Sequence, residues 1–110
     1  MEQHPRKWTV QDRYGNTLYM TAERWQHALE KRPWLADHLE EALNTLRLGH
    51  RKQDPLRQNK YKYYRRCDDL LPEYNHIVVI VLFGQQLEEG RSVSNNYVTN
   101  VWAVYIYSKG

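Results

Sequence analysis

The chain has 110 residues, of which 41% are hydrophobic and 26% charged, the balance of one globular domain with a single modest core. Its one cysteine, Cys67, excludes an internal disulfide and any cysteine-based zinc cluster, and agrees with a reducing compartment. The formal net charge of +3 is small, and the longest apolar run, IVVIVLF at 77–83, falls far short of the roughly 20 residues of a membrane span.

RKWTVQDRYGNTLYM (6–20) reads as two short strands around a Gly-Asn turn, with Trp8 and Val10 before it and Leu18 and Met20 after it. Thr21 is placed as a helix N-cap with Glu23 in the first turn, and a helix is expected over 22–31. Its Trp25, Ala28 and Leu29 form an apolar stripe. Pro33 suits the first turn of a new helix, so the chain breaks near Arg32. The second helix is expected over 33–48, with Leu35, Leu39, Ala42, Leu43 and Leu46 as its stripe and Gly49 at its end.

HRKQDPLRQN (50–59) is polar, contains a proline and reads as a loop. A strand is expected over 60–66, a turn at DDLLPEYN, and a central strand over 77–83 buried on both faces. GQQLEEGRSVSNN reads as a long hairpin connection. The last strand is expected over 97–107, with Val98, Trp102, Val104 and Ile106 facing one way and Asn100 among them. The fold expected for residues 1–110 is α+β: an N-terminal β-hairpin, two helices, then a three-stranded antiparallel sheet with the helices packed on one face.

Charge is unevenly spread. Arg47–Arg66 holds eight of the sixteen Lys and Arg with Asp54 as its only acid, which gives +7 there and −4 for the remainder. Such a block fits phosphate binding, or a solvated loop and edge strand. Within it, NKYKYYRRCDD (59–69) sets Lys60, Lys62, Tyr64 and Arg66 on one strand face and Tyr61, Tyr63, Arg65 and Cys67 on the other. Cations neutralise phosphates and tyrosine rings stack on unpaired bases, so single-stranded RNA fits the first face, while strand propensity alone accounts for some of the rings.

No phosphate-binding glycine loop, HExxH or nucleophile elbow is present, and the five histidines at 4, 27, 38, 50 and 76 lack the spacing of a helical metal site. Neither metal nor cofactor is expected. The remaining chemistry is attack of an RNA 2′-hydroxyl on its neighbouring phosphorus, which needs a base, an acid and cations. Arg24, His27 and Lys31 share one side of the first helix, either as part of such a site or as a solvated face. Asn100 either bonds a neighbouring backbone or points into a polar site between sheet and helices.

DRYGNTLYMTAERWQHALEKRPWL (12–35) resembles the opening of phage and polymorphic-toxin domains of the barnase–EndoU–colicin–RelE-like nuclease superfamily. Thr21, Glu23, Arg24, Trp25 and His27 match its helix start, and Pro33 and Leu35 its link into the second helix. DPLRQNKYKYYRR, IVVIVLF and NNYVTNVWAVYI resemble its sheet strands. Arg32 and Asn100 differ, standing where that pattern has histidine and Thr or Ser. The resemblance implies a metal-independent ribonuclease of toxin type. In that reading His27, Arg32 and Asn100 carry catalysis, and Arg24, Lys60, Lys62, Tyr64, Arg65 and Arg66 hold RNA. The alternative is a non-catalytic RNA-binding or protein-interaction module. Expected partners are RNA and an acidic antitoxin-like protein. The start MEQHPRKW lacks the apolar stretch of a signal peptide, so a cytoplasmic location without a membrane is expected.

Overall fold

In the computed structural model, which describes residues 6–107, the alternation of the first segment produces an antiparallel hairpin of β1 (Lys7–Gln11) and β2 (Thr17–Thr21). Trp8 pairs with Met20 and Val10 with Leu18, which gathers the apolar side chains on one face. Thr21 accepts the Arg24 N–H at 3.1 Å and so caps α1 (Ala22–Lys31), which buries Trp25 and Ala28. The second helix expected over 33–48 is two pieces. Pro33–His38 forms a 3-10 turn, and α2 spans Leu39–Leu48. α2 stops at Gly49, where an added Cβ would meet the Thr45 carbonyl oxygen at 2.4 Å and the Tyr64 carbonyl oxygen at 2.8 Å.

The remaining strands are β3 (His50–Gln53), β4 (Lys60–Arg66), β5 (His76–Leu82), β6 (Gln85–Glu88), β7 (Arg91–Ser94) and β8 (Tyr97–Val104). They correct the expected fold of a hairpin followed by a three-stranded antiparallel sheet. A mixed six-stranded sheet runs β1-β2-β8-β5-β4-β3, and β6 and β7 form a separate two-stranded ribbon. Three features account for the difference. Tyr19 bridges Tyr97 in parallel, which joins the hairpin to the sheet. The polar segment expected as a loop contributes β3, an edge strand that pairs only with β4 and needs no apolar face. The long connection folds on itself as the ribbon.

A hydrophobic core lies between helices and sheet. Tyr63, Ile77, Val79, Val81, Val98 and Val101 meet Trp25, Leu35, Leu43 and Leu46 there. α2 packs on β4, β5 and β1, and α1 on β2 and β8. The hairpin tip reaches across the helix side to the far end of the sheet. Asp12, directly after β1, accepts the Tyr63 hydroxyl of β4, and Arg51 of β3 donates to that hydroxyl at 3.3 Å. Asp12 also accepts the backbone N–H groups of Tyr14 and Asn16 at 2.9 and 2.8 Å.

β8 departs from simple alternation. Ile80 pairs with Asn100 but Val81 pairs with Val98, so Thr99 is an extra residue in the strand. Val98 and Val101 therefore both face the core, while Asn100, Trp102 and Val104 face away from the helices. The expected common face of Val98, Trp102 and Val104 is corrected by this bulge, and the strand ends at Val104 rather than 107.

Candidate nucleic-acid interface

Because β2 leads straight into α1 after Thr21, it pairs with β8 only at Tyr97. α1 instead lies beside the later part of β8. Between them is a cleft of about 300 Å³, lined by Arg24, His27, Lys31 and Arg32 on one wall and by Thr99, Asn100 and Trp102 on the other. The helical spacing of 24, 27 and 31 turns three side chains to the same wall. Among the described residues no acid lines this cleft. His27 is exposed, with Nδ1 3.9 Å from the Glu30 carboxylate. Asn100, distant in sequence, is thus brought beside Arg24, His27 and Arg32.

The other expected residues divide between two faces. Cross-strand pairing sets Asn100, Ile80, Lys62 and Lys52 in one row on the side away from the helices. Trp102, Val78, Tyr64 and His50 form the next row, and Val104, His76 and Arg66 the one after. Lys60 lies on the same side, within 3.8 Å of Asp54. Arg65 does not join them. It alternates with Tyr64 and Arg66 onto the helix-facing side of β4 with Tyr63, although it lines a cleft of about 390 Å³ together with His50, Tyr64, Arg66 and His76.

The basic segment is therefore not uniformly available for a ligand. Arg51 is held between the Tyr14 and Tyr61 rings, 4.3 Å from each centroid. Arg47 bonds Glu40 at 2.9 Å, and Arg66 bonds Asp68 at 2.9 Å. Among the described residues Lys52 and Lys62 form no ion pair. Burial, aided by the neighbouring Arg66 charge, lowers the His76 pKa, and its Nδ1 lies 2.8 Å from the Asn75 amide oxygen. His38 sits beside Trp34 at the junction of the helices, away from these clefts. His4 lies outside the described residues. Among the described residues no group of three His, Cys, Asp or Glu is placed to hold a metal ion, and no helix is long and apolar enough to cross a membrane.

Two residues beyond those expected from the sequence share this face: Trp102, which the bulge turns away from the core, and Lys52, which lies on β3. A bulge has no local signature here, but Asn100 in the middle of an apolar strand was the available signal that the facing changes.

The chain matches no protein-family model, no curated protein and no solved structure. Its own residues and geometry are what bear on function.

Proposed function

We propose that the protein is a metal-independent endoribonuclease of toxin type that cuts single-stranded RNA through attack by the 2′-hydroxyl. The observation that carries this reading is the cleft between α1 and β8, whose walls bring together the His27 imidazole, three cationic side chains and the Asn100 amide. In the proposed reaction the His27 imidazole takes the 2′-hydroxyl proton as the oxygen bonds phosphorus. The bond from phosphorus to the 5′-oxygen breaks, and that oxygen takes a proton from the Lys31 ammonium. The products are a 2′,3′-cyclic phosphate and a 5′-hydroxyl. Arg24 and Arg32 offset the charge that grows on the phosphoryl oxygens, and Asn100 orients the scissile group. Arg32 stays protonated and serves as a cation, not as a base.

The reading takes RNA and an acidic antitoxin-like protein as partners, and a cytoplasmic setting, in which the buried Cys67 thiol stays reduced. A second reading, a non-catalytic RNA-binding module, draws on the presence of a single imidazole among the described residues that line the cleft. Purified protein with end-labelled single-stranded RNA in EDTA separates the two. Fragments ending in 2′,3′-cyclic phosphate, reduced on the order of a hundredfold or more by His27→Ala, support cleavage. RNA that is retained but uncut supports the binding module.

A further inference from the structure

Of the four tryptophans, Trp8, Trp25 and Trp34 belong to the core or pack against it. Trp102 alone is turned the other way, half-buried on the sheet face opposite the helices. It lines the α1–β8 cleft and also two adjoining clefts that share Lys52 and Lys62. Indoles are enriched where a partner covers a protein surface.

Its neighbours give that face an order. Tyr64 lies in the same row, separated from Trp102 by Val78. With strands about 4.8 Å apart, the two rings stand roughly 10 Å from one another across β5. Val78 and Ile80 on this face are buried, and each lines one of the two adjoining clefts between the rings and the lysines. The parallel row carries Lys62 and Lys52 at one end and Asn100, at the mouth of the cleft, at the other. Rings in one row and cations in the next match the two-sided chemistry of an unpaired nucleotide strand, with bases on the rings and phosphates on the lysines.

We propose that this face is a stacking track for about three unpaired nucleotides, with Trp102 and Tyr64 as the base platforms and Lys62 and Lys52 as the phosphate row. It runs across the strands and delivers the chain to the α1–β8 cleft. The track rests on the ribonuclease reading for the identity of its ligand as RNA. A duplex does not fit it, since paired bases present no free face to the rings.

The test is the affinity of a short fluorescent 2′-fluoro uridine oligomer, which lacks the attacking hydroxyl and so reports binding without cleavage. Trp102→Ala and Tyr64→Ala are each expected to weaken binding about tenfold or more, and Trp102→Phe, which keeps a ring, by no more than about threefold. Lys62→Ala should lower the slope of log affinity against log salt by about 0.7. Thermal melts check that each variant is folded, and if Trp102→Ala does not fold, Tyr64→Ala and Lys62→Ala decide. Equal affinity of Tyr64→Ala and folded Trp102→Ala with the parent would overturn the track, as would a duplex binding as tightly as the single strand. Displacement of the oligomer by polyglutamate at equal concentration would also overturn it, and would make the face a site for an acidic protein. Failure of the track while the parent still cuts RNA leaves the ribonuclease reading intact; tight ring-dependent binding without cutting leaves the track intact.

Discussion

At Gly49 the chain passes from α2 into β3 with backbone oxygens of Thr45 and Tyr64 inside the space of a side chain. Its φ of −70° is open to any residue, so the requirement is room rather than a left-handed conformation. Gly49→Ala should cost about 1–3 kcal/mol, read as a fall in Tm of several degrees. A melting curve unchanged by the methyl group would contradict this close approach. The residue was legible in the sequence as a helix end; the reason for it was not, because Tyr64 is fifteen positions away.

Asp12 is a second residue whose role needed the fold. Burial acts to raise its pKa, but bonds from Tyr63, Asn16 and Tyr14 hold it below the ordinary aspartate value. The folded pKa is therefore lower than the unfolded one. The stabilisation is complete above about pH 4 and is lost as the pH falls through the folded value. Asp12→Asn should flatten the acid limb of the stability profile. It should also lower neutral stability by about 1–3 kcal/mol, because Tyr63 loses its charged acceptor and Arg51 the opposite charge 3.9 Å away. Denaturant titrations across pH 2–7 (a range chosen to bracket the roughly pH 4 midpoint of a free aspartate) check both, and an acid limb identical in the two proteins would sink the assignment.

At the scale of elements, legibility followed the strength of the local pattern. The first hairpin, α1 and the apolar run of β5 carry strong alternation or helical stripes, and alternation along β4 separates Lys62 and Tyr64 from the core residue Tyr63. β3 was hidden because an edge strand of HRKQ has no apolar side to show. The facing of Trp102 was hidden because one extra residue at Thr99 inverts everything after it. The ribbon of β6 and β7 stands largely apart from the rest. Its root is closed by the Asn95 N–H to the Gly84 carbonyl at 2.8 Å, and Asn96 ties that root to Thr17 at 2.9 Å. Replacing residues 86–93 by an Asn-Gly turn should therefore leave Tm within a few degrees of the parent. A large loss of Tm would mean that the ribbon supports the sheet.

For the whole molecule, the slab measures 51 × 41 × 22 Å. The helices cover one side of its sheet, and a face of Trp102, Tyr64, Lys62 and Lys52 forms the other. The α1–β8 cleft opens where α1, in place of another strand, borders β8. This juxtaposition depends on the hairpin turning away after one bridge, a long-range event without a local sequence signal. The measurement that bears most directly on the ribonuclease account uses a DNA strand carrying a single ribonucleotide, incubated with the protein in EDTA. The account predicts a cut only at the linkage 3′ to that ribose, leaving a 2′,3′-cyclic phosphate, and no cut in the all-deoxy strand. Cutting at deoxy linkages, or no cutting of the ribose-containing strand or of all-RNA at any protein concentration, would contradict it.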